Sequence, residues 1–106
     1  MLEKTLKLGK LLDLYGGMLT DKQREAMDMY YNCDMSLAEV GEELSVSRQG
    51  VRDTLIRATK TLLELEEKIG YFKSLSALKH DIEVVAEGVS EDAKSKLKEI
   101  ANKIEV

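Results

Sequence analysis

Proline and tryptophan are absent from this 106-residue chain, and phenylalanine, cysteine and histidine each occur once. Without proline, nothing in the sequence forces a helix to kink or stop from within. With one Phe and four Tyr beside 34% charged residues, the composition disfavours a β-sandwich or barrel and predicts an all-α fold. Cys33 alone forms neither an internal disulfide nor a cysteine-rich zinc site, and a reducing compartment fits it. As a small apolar side chain it is expected in or beside the core. His80 stands next to Asp81 with no second ligand one helical turn on, so a surface imidazole is expected rather than a metal ligand. No apolar run approaches the roughly 20 residues needed to cross a bilayer. The opening Met-Leu-Glu-Lys-Thr-Leu-Lys also has no signal-peptide core. A soluble, cytoplasmic protein without membrane insertion is expected.

What is present is helical periodicity, with room for five or six helices. A first helix is predicted from Leu2 to Tyr15, using Leu2, Leu6, Leu8, Leu11, Leu12 and Tyr15, until Gly16-Gly17 breaks it. Thr20 then caps a second helix, with Gln23 at the capping-box position and Ala26, Met27, Met29, Tyr30 and Tyr31 on its buried side. That helix is expected to fade at Asn32-Cys33-Asp34. Beyond it, Val51, Leu55, Ala58, Leu62, Leu65 and Ile69 recur in steps of four and three, the spacing of one long helix that Gly70 ends. Ile56 and Leu63 lie off this stripe and form a second apolar edge, the candidate dimer or partner surface. Leu75, Leu78, Ile82, Val85 and Ala86 mark a further helix closed by Gly88. Ser90 caps a last one carrying Leu97, Ile100, Ala101 and Ile104, with Lys94, Lys96, Lys98 and Lys103 on a solvated face. The expected organisation is a core over 1–70 and a C-terminal helical extension over 71–106.

The most informative segment runs from Ser36 to Arg52. Ser36 and Glu39 make a capping box, and Leu37, Val40 and Leu44 recur at helical spacing. Ala38 and Gly41 are small enough for a second helix to cross closely. Ser45-Val46-Ser47 supplies a turn, with Val46 plugging the corner and Ser47 capping a helix that starts at Arg48. With Val51, Leu55 and Ala58 inward, Arg48, Gln49, Arg52, Asp53 and Arg57 remain outside, near the end that enters a major groove in helix-turn-helix proteins. Arg and Gln are suited to paired bonds with guanine and adenine edges.

Leu19-Thr-Asp-Lys-Gln-Arg-Glu, Tyr30-Tyr31, Ser36-Leu-Ala-Glu-Val and Val46-Ser-Arg-Gln-Gly-Val resemble region 4 of sigma-70-type transcription factors. They are more closely similar to the small YlxM family of helix-turn-helix proteins, over about Leu11 to Glu67. Leu14-Tyr15 and the acidic Leu63-Glu-Leu-Glu-Glu fit that family better than sigma factors. The resemblance implies a sigma-70 region 4-like core, unrelated to winged helices, in a dimeric regulatory protein. It also implies a part in the signal recognition particle pathway. Gly50 and Arg52 depart from the expected Ala and Tyr. The glycine costs roughly 1 kcal/mol of helix propensity, and the arginine makes the outer face more basic.

Charge restrains the DNA reading. The chain carries a formal charge of -4, and from Leu19 to Gly70 seven basic residues face eleven acidic ones. From Ser47 to Lys60, however, four bases face one acid, a local net of +3 that steers a groove contact while its neighbours weaken non-specific binding. No Gly-rich phosphate loop, His-Glu metal motif or activated nucleophile appears, so neither an enzyme nor a cofactor site is expected. Carboxylate pairs such as Glu42-Glu43 and Glu66-Glu67 read as solvated. Two functions stay open. In one, Arg48, Gln49 and Arg52 read bases while Ser47, Arg57, Lys22 and Arg24 hold phosphates of DNA. In the other, the helices, above all the edge with Ile56 and Leu63, bind a protein or RNA of the signal recognition particle pathway.

Overall fold

The computed structural model describes residues 4–106, and every regular element among them is helical. Six α-helices follow in order: α1 (Leu6–Tyr15), α2 (Asp21–Met27), α3 (Leu37–Leu44), α4 (Arg48–Ile69), α5 (Tyr71–Ala86) and α6 (Glu91–Asn102). A 3-10 turn, Gly16–Met18, follows α1, and a π turn, Asp28–Asn32, extends α2. The chain divides into two compact units, one up to Ile69 and one from Gly70 to Val106.

Side-chain caps set the helix starts. Thr5 accepts from the Leu8 amide at 3.1 Å, so α1 begins at Leu6, and the predicted start at Leu2 lies outside the described residues. Leu6 is 82% exposed and does not belong to the buried stripe, because at about 100° per residue it stands on the opposite side of α1 from Leu8, Leu11, Leu12 and Tyr15. Leu8, Leu11, Leu12 and Tyr15 carry the packing instead. Thr20 with Gln23, and Ser36 with Glu39, form complete capping boxes at α2 and α3.

The first unit is organised around α4, whose 22 residues span about 33 Å. Val51, Leu55, Ala58 and Leu62 form its fully buried stripe, against which α1, α2 and α3 pack. Tyr15, Ala26, Met27 and Val40 close the core from those helices. Tyr15 is buried but its hydroxyl donates to Glu66 Oε1 at 2.8 Å, satisfying the polar end of an otherwise apolar side chain. Glu66 is therefore half-buried and engaged, not solvated as its place in an acidic pair suggested. Ile69 at the end of the stripe is exposed, since the fully buried face closes about two turns earlier at Leu62, with Leu65 half-buried between them. The rings of Tyr30 and Tyr31 meet edge to face at 5.2 Å, and Lys4 sits over Tyr30 while pairing with Asp34 at 2.7 Å. Cys33, expected near the core, is exposed at the end of the π turn.

The α3–α4 corner depends on Gly41. Ser45 adopts a left-handed conformation (φ 57°), and the amides of Ser45 and Val46 both donate to the Gly41 carbonyl. The chain folds back so tightly that a Cβ on Gly41 would lie 2.6 Å from the Val46 carbonyl oxygen. The close approach belongs to the turn's own backbone, with Gly41 buried beneath it. Ala38, expected to share that role, is exposed.

Gly70 (φ 69°) ends α4, as a glycine in the left-handed region does at low cost. In the second unit α5 packs on α6, with Ala86 and Ala101 buried at the contact and Phe72, Leu75, Ile82 and Leu97 half-buried. Leu78 and Val85 are 50% and 57% exposed and Ile100 is exposed too, so the inner stripe of α5 passes through Phe72, Leu75, Lys79, Ile82 and Ala86 instead. Lys94 reaches Glu87 at 3.4 Å.

The two kinds of glycine predict opposite outcomes for one substitution. Gly41→Ala forces a methyl against backbone and is expected to destabilise by about 1–3 kcal/mol. Gly9→Ala, inside α1 with nothing within 4 Å of its Cβ position, is expected to stabilise by up to about 1 kcal/mol. Urea denaturation of both variants checks this; equal or same-sign shifts contradict the assigned role of Gly41.

Candidate nucleic-acid interface

The corner delivers the first turn of α4 to the surface with two of its amides, those of Gly50 and Val51, bonded to Ser47. Ser47 Oγ accepts from the Gly50 amide at 2.9 Å, and the Ser47 carbonyl accepts from the Val51 amide at 2.9 Å. With Val51 and Leu55 buried, helical spacing turns Arg48, Gln49, Arg52, Asp53 and Arg57 outward, and all five are exposed. A Cβ on Gly50 would meet Ser47 Oγ at 3.1 Å and Val46 Cβ at 3.8 Å, so this glycine keeps space for the cap at a cost in helix propensity.

Arg48, Gln49 and Arg52 come together with Leu37, the first residue of α3, around an open notch of about 400 Å³. Two guanidinium groups and a carboxamide beside one apolar wall can offer donors, an acceptor and a methyl contact in a single place. Gln49 is held by a bond from Nε2 to Asp53 Oδ1 at 3.0 Å. The i,i+4 spacing of Gln49 and Asp53 was a readable signal for that bond. The part of Leu37 carried no signal, because only the fold brings the start of α3 next to α4.

The other basic candidates stand apart from this cluster. Arg57 is exposed further along α4. Lys22 and Arg24 are exposed on α2, where Arg24 pairs with Asp21 at 3.0 Å within its own first turn, so much of its charge is offset locally. Ser47 is exposed, but its oxygen already serves as a cap acceptor, leaving its O–H as the group for a phosphate. On α3, Glu39, Glu42 and Glu43 are exposed and oppose approach of a polyanion.

Two carboxyl groups near the motif titrate low. The backbone amide of Ser36, and then its hydroxyl, hold the Glu39 carboxyl below its ordinary value through the capping box. The bond and charge of Lys4 do the same for Asp34. Burial raises the Tyr31 hydroxyl, with the neighbouring Thr59 hydroxyl partly opposing it.

Two further features line the first unit. A shallow groove of about 320 Å³ runs along α4 beside Ile56, Thr59, Lys60, Leu63, Glu64 and Glu67, with Leu63 49% exposed. A hollow of about 440 Å³ lies beside Lys4, Leu6, Lys10, Asp13, Tyr31 and Asn32. Among the described residues, no group of three or more His, Cys, Asp or Glu is placed to hold a metal ion, and no helix is long and apolar enough to cross a membrane.

The model of the UPF0122 family, YlxM/p13-like helix-turn-helix proteins, matches residues 2–103. A UPF0122 protein of Thermoanaerobacter sp. is 46% identical over 90% of this chain and 88% of its own length. One from Halalkalibacterium halodurans is 40% identical over 90% and 87%, and one from Bacillus cereus 36% identical over 99% and 97%.

The low-titrating carboxylates give a pH prediction. A folded-state value below the unfolded one contributes stability that is fully present above the unfolded pKa and is lost as pH falls through the folded one. Glu39→Gln with Asp34→Asn keeps acceptor oxygens and removes both titrations. The urea midpoint of this variant is expected to fall less between about pH 5 and pH 3 than that of the unaltered protein. Parallel curves would refute the assigned origin of the shifts.

Proposed function

Because the chain belongs to the UPF0122 family of YlxM/p13-like helix-turn-helix proteins, we propose that it is a non-enzymatic regulator that binds duplex DNA through the first turns of α4. The observation that carries this reading is the convergence of Arg48, Gln49 and Arg52 with Leu37 at one exposed notch at the start of that helix. In this reading these side chains face base edges in the major groove, and Arg57 and the Ser47 hydroxyl hold phosphates. Lys22 and Arg24 act at the rim. The exposed acids of α3 subtract from backbone affinity, so binding is modest and falls steeply with salt.

A second reading is favoured by the groove on α4. Ile56 and Leu63 present apolar surface beside Lys60, Glu64 and Glu67, a mixture suited to a protein partner. In that reading the protein is an adaptor for a protein or RNA of the signal recognition particle pathway. Gentle co-purification is then expected to recover the particle's GTPase or its RNA, and recovery of neither counts against it. Pairing of two copies through the same edge is compatible with DNA binding, since two motifs then meet two half-sites.

Two tests address the primary reading. Arg48→Ala with Arg52→Ala is expected to abolish duplex binding at low salt while leaving the helical circular dichroism unchanged. The unaltered protein is expected to show a log–log salt slope of about -3. Unchanged binding by the variant, or no binding by the unaltered protein at low salt, overturns it. For the pairing, Leu63→Glu is expected to shift the mass measured by light scattering from dimer to monomer. An unaltered protein that is monomeric at every concentration removes that element.

A further inference from the structure

An acidic residue in the middle of a basic strip calls for a physical reason, and the bond it makes supplies one. Gln49 Nε2 donates to Asp53 Oδ1 at 3.0 Å, one turn on along α4. A carboxylate only accepts, so the contacting atom of Gln49 has to be its NH2 group, which fixes the orientation of the amide. That leaves one N–H and the Oε1 acceptor of Gln49 for a ligand. A donor beside an acceptor in one plane matches the N7 acceptor and N6 donor of adenine in the major groove. Guanine presents two acceptors there, and cytosine and thymine a single donor or acceptor, so none of them satisfies both groups. Leu37, bordering the same notch, offers apolar contact of the kind that suits a thymine methyl.

We propose that Gln49 is the adenine-reading residue of this interface and that Asp53 is its positioning residue. The inference rests on the duplex-binding reading above and adds the base and the device that selects it. Asp53 holds the amide in one orientation before the base arrives, so that ordering is not required on binding. Its charge lies among Arg48, Arg52 and Arg57, all exposed on the same stretch of helix, where it lowers attraction for phosphate of any sequence. One carboxylate thus favours discrimination in two ways, by orienting the reader and by weakening non-specific binding.

Selection from a pool of duplexes with randomised positions, followed by affinities for single-base variants of the selected site, tests this. The unaltered protein is expected to enrich adenine at one position and to disfavour its replacement there by roughly tenfold. Asp53→Ala, which removes the acceptor, is expected to keep or raise duplex affinity and to lose that preference, as is Gln49→Ala. Asp53→Asn keeps an acceptor oxygen without the charge; it is expected to retain the preference while binding every duplex more tightly. A merely electrostatic role of Asp53 would make the two Asp53 variants behave alike, and that result overturns the positioning role. Duplex binding without any adenine preference overturns the assignment of Gln49 and leaves DNA binding standing. No duplex binding at low salt overturns both.

Discussion

The carbonyl of Val46 lies over Gly41 so closely that no side chain can stand between them, and the rest of the first unit depends on that approach. It lets α3 end at Leu44 in a left-handed Ser45, with the Gly41 carbonyl receiving two amides of the turn. The chain is then reversed within three residues, and Ser47 is in place to cap α4. A wider turn would start α4 elsewhere and rotate its faces. Since residues on a helix advance about 100° each, a one-residue slip would move Val51 and Leu55 out of the core and carry Arg48 and Arg52 with them. Core packing and surface chemistry are thus set by the same corner.

From that corner α4 acts as the shared wall of the unit. Its buried stripe faces α1, α2 and α3, and its outer side carries the arginines first and the Ile56–Leu63 edge further along. The bond from Tyr15 to Glu66 ties the end of α1 to the far end of α4, so the long helix is fixed at both ends, by a glycine corner and by a tyrosine. A rigid helix of this kind suits a surface that must hold several side chains in register with a partner.

Local chemistry was the legible part of the sequence. The capping boxes at Thr20 and Ser36, the cap at Ser47, the stop at Gly70 and the stripe Val51–Leu55–Ala58–Leu62 each depend on residues near one another in the chain, and each is found as the pattern implies. Where a residue's fate depends on what a distant element covers, periodicity misleads. Leu78 and Val85 continue the apolar spacing of α5 although its buried side runs through Phe72, Lys79 and Ala86. Cys33 was placed by hydrophobicity alone, and it is exposed at the end of a π turn. In the candidate site, the arginines and Gln49 could be named from a helical face. Leu37 could not, since it joins them only through the fold.

The electrostatics make the proposed interface one of selectivity more than strength. A chain of net charge -4 with three exposed glutamates on α3 gains little from phosphates at large. What remains is the stretch of α4 from Arg48 to Lys60, four bases against one acid. If this interface binds duplex DNA as proposed, affinity has to come from contacts that only the right base pairs complete, because each mismatch leaves a desolvated donor or acceptor without a partner. An exposed acid that would merely weaken a phosphate-driven binder becomes useful here, since lowering the sequence-independent term enlarges the ratio between right and wrong sites. On the proposed reading, the acidic balance of the chain and the basic stretch of α4 from Arg48 to Lys60 act together.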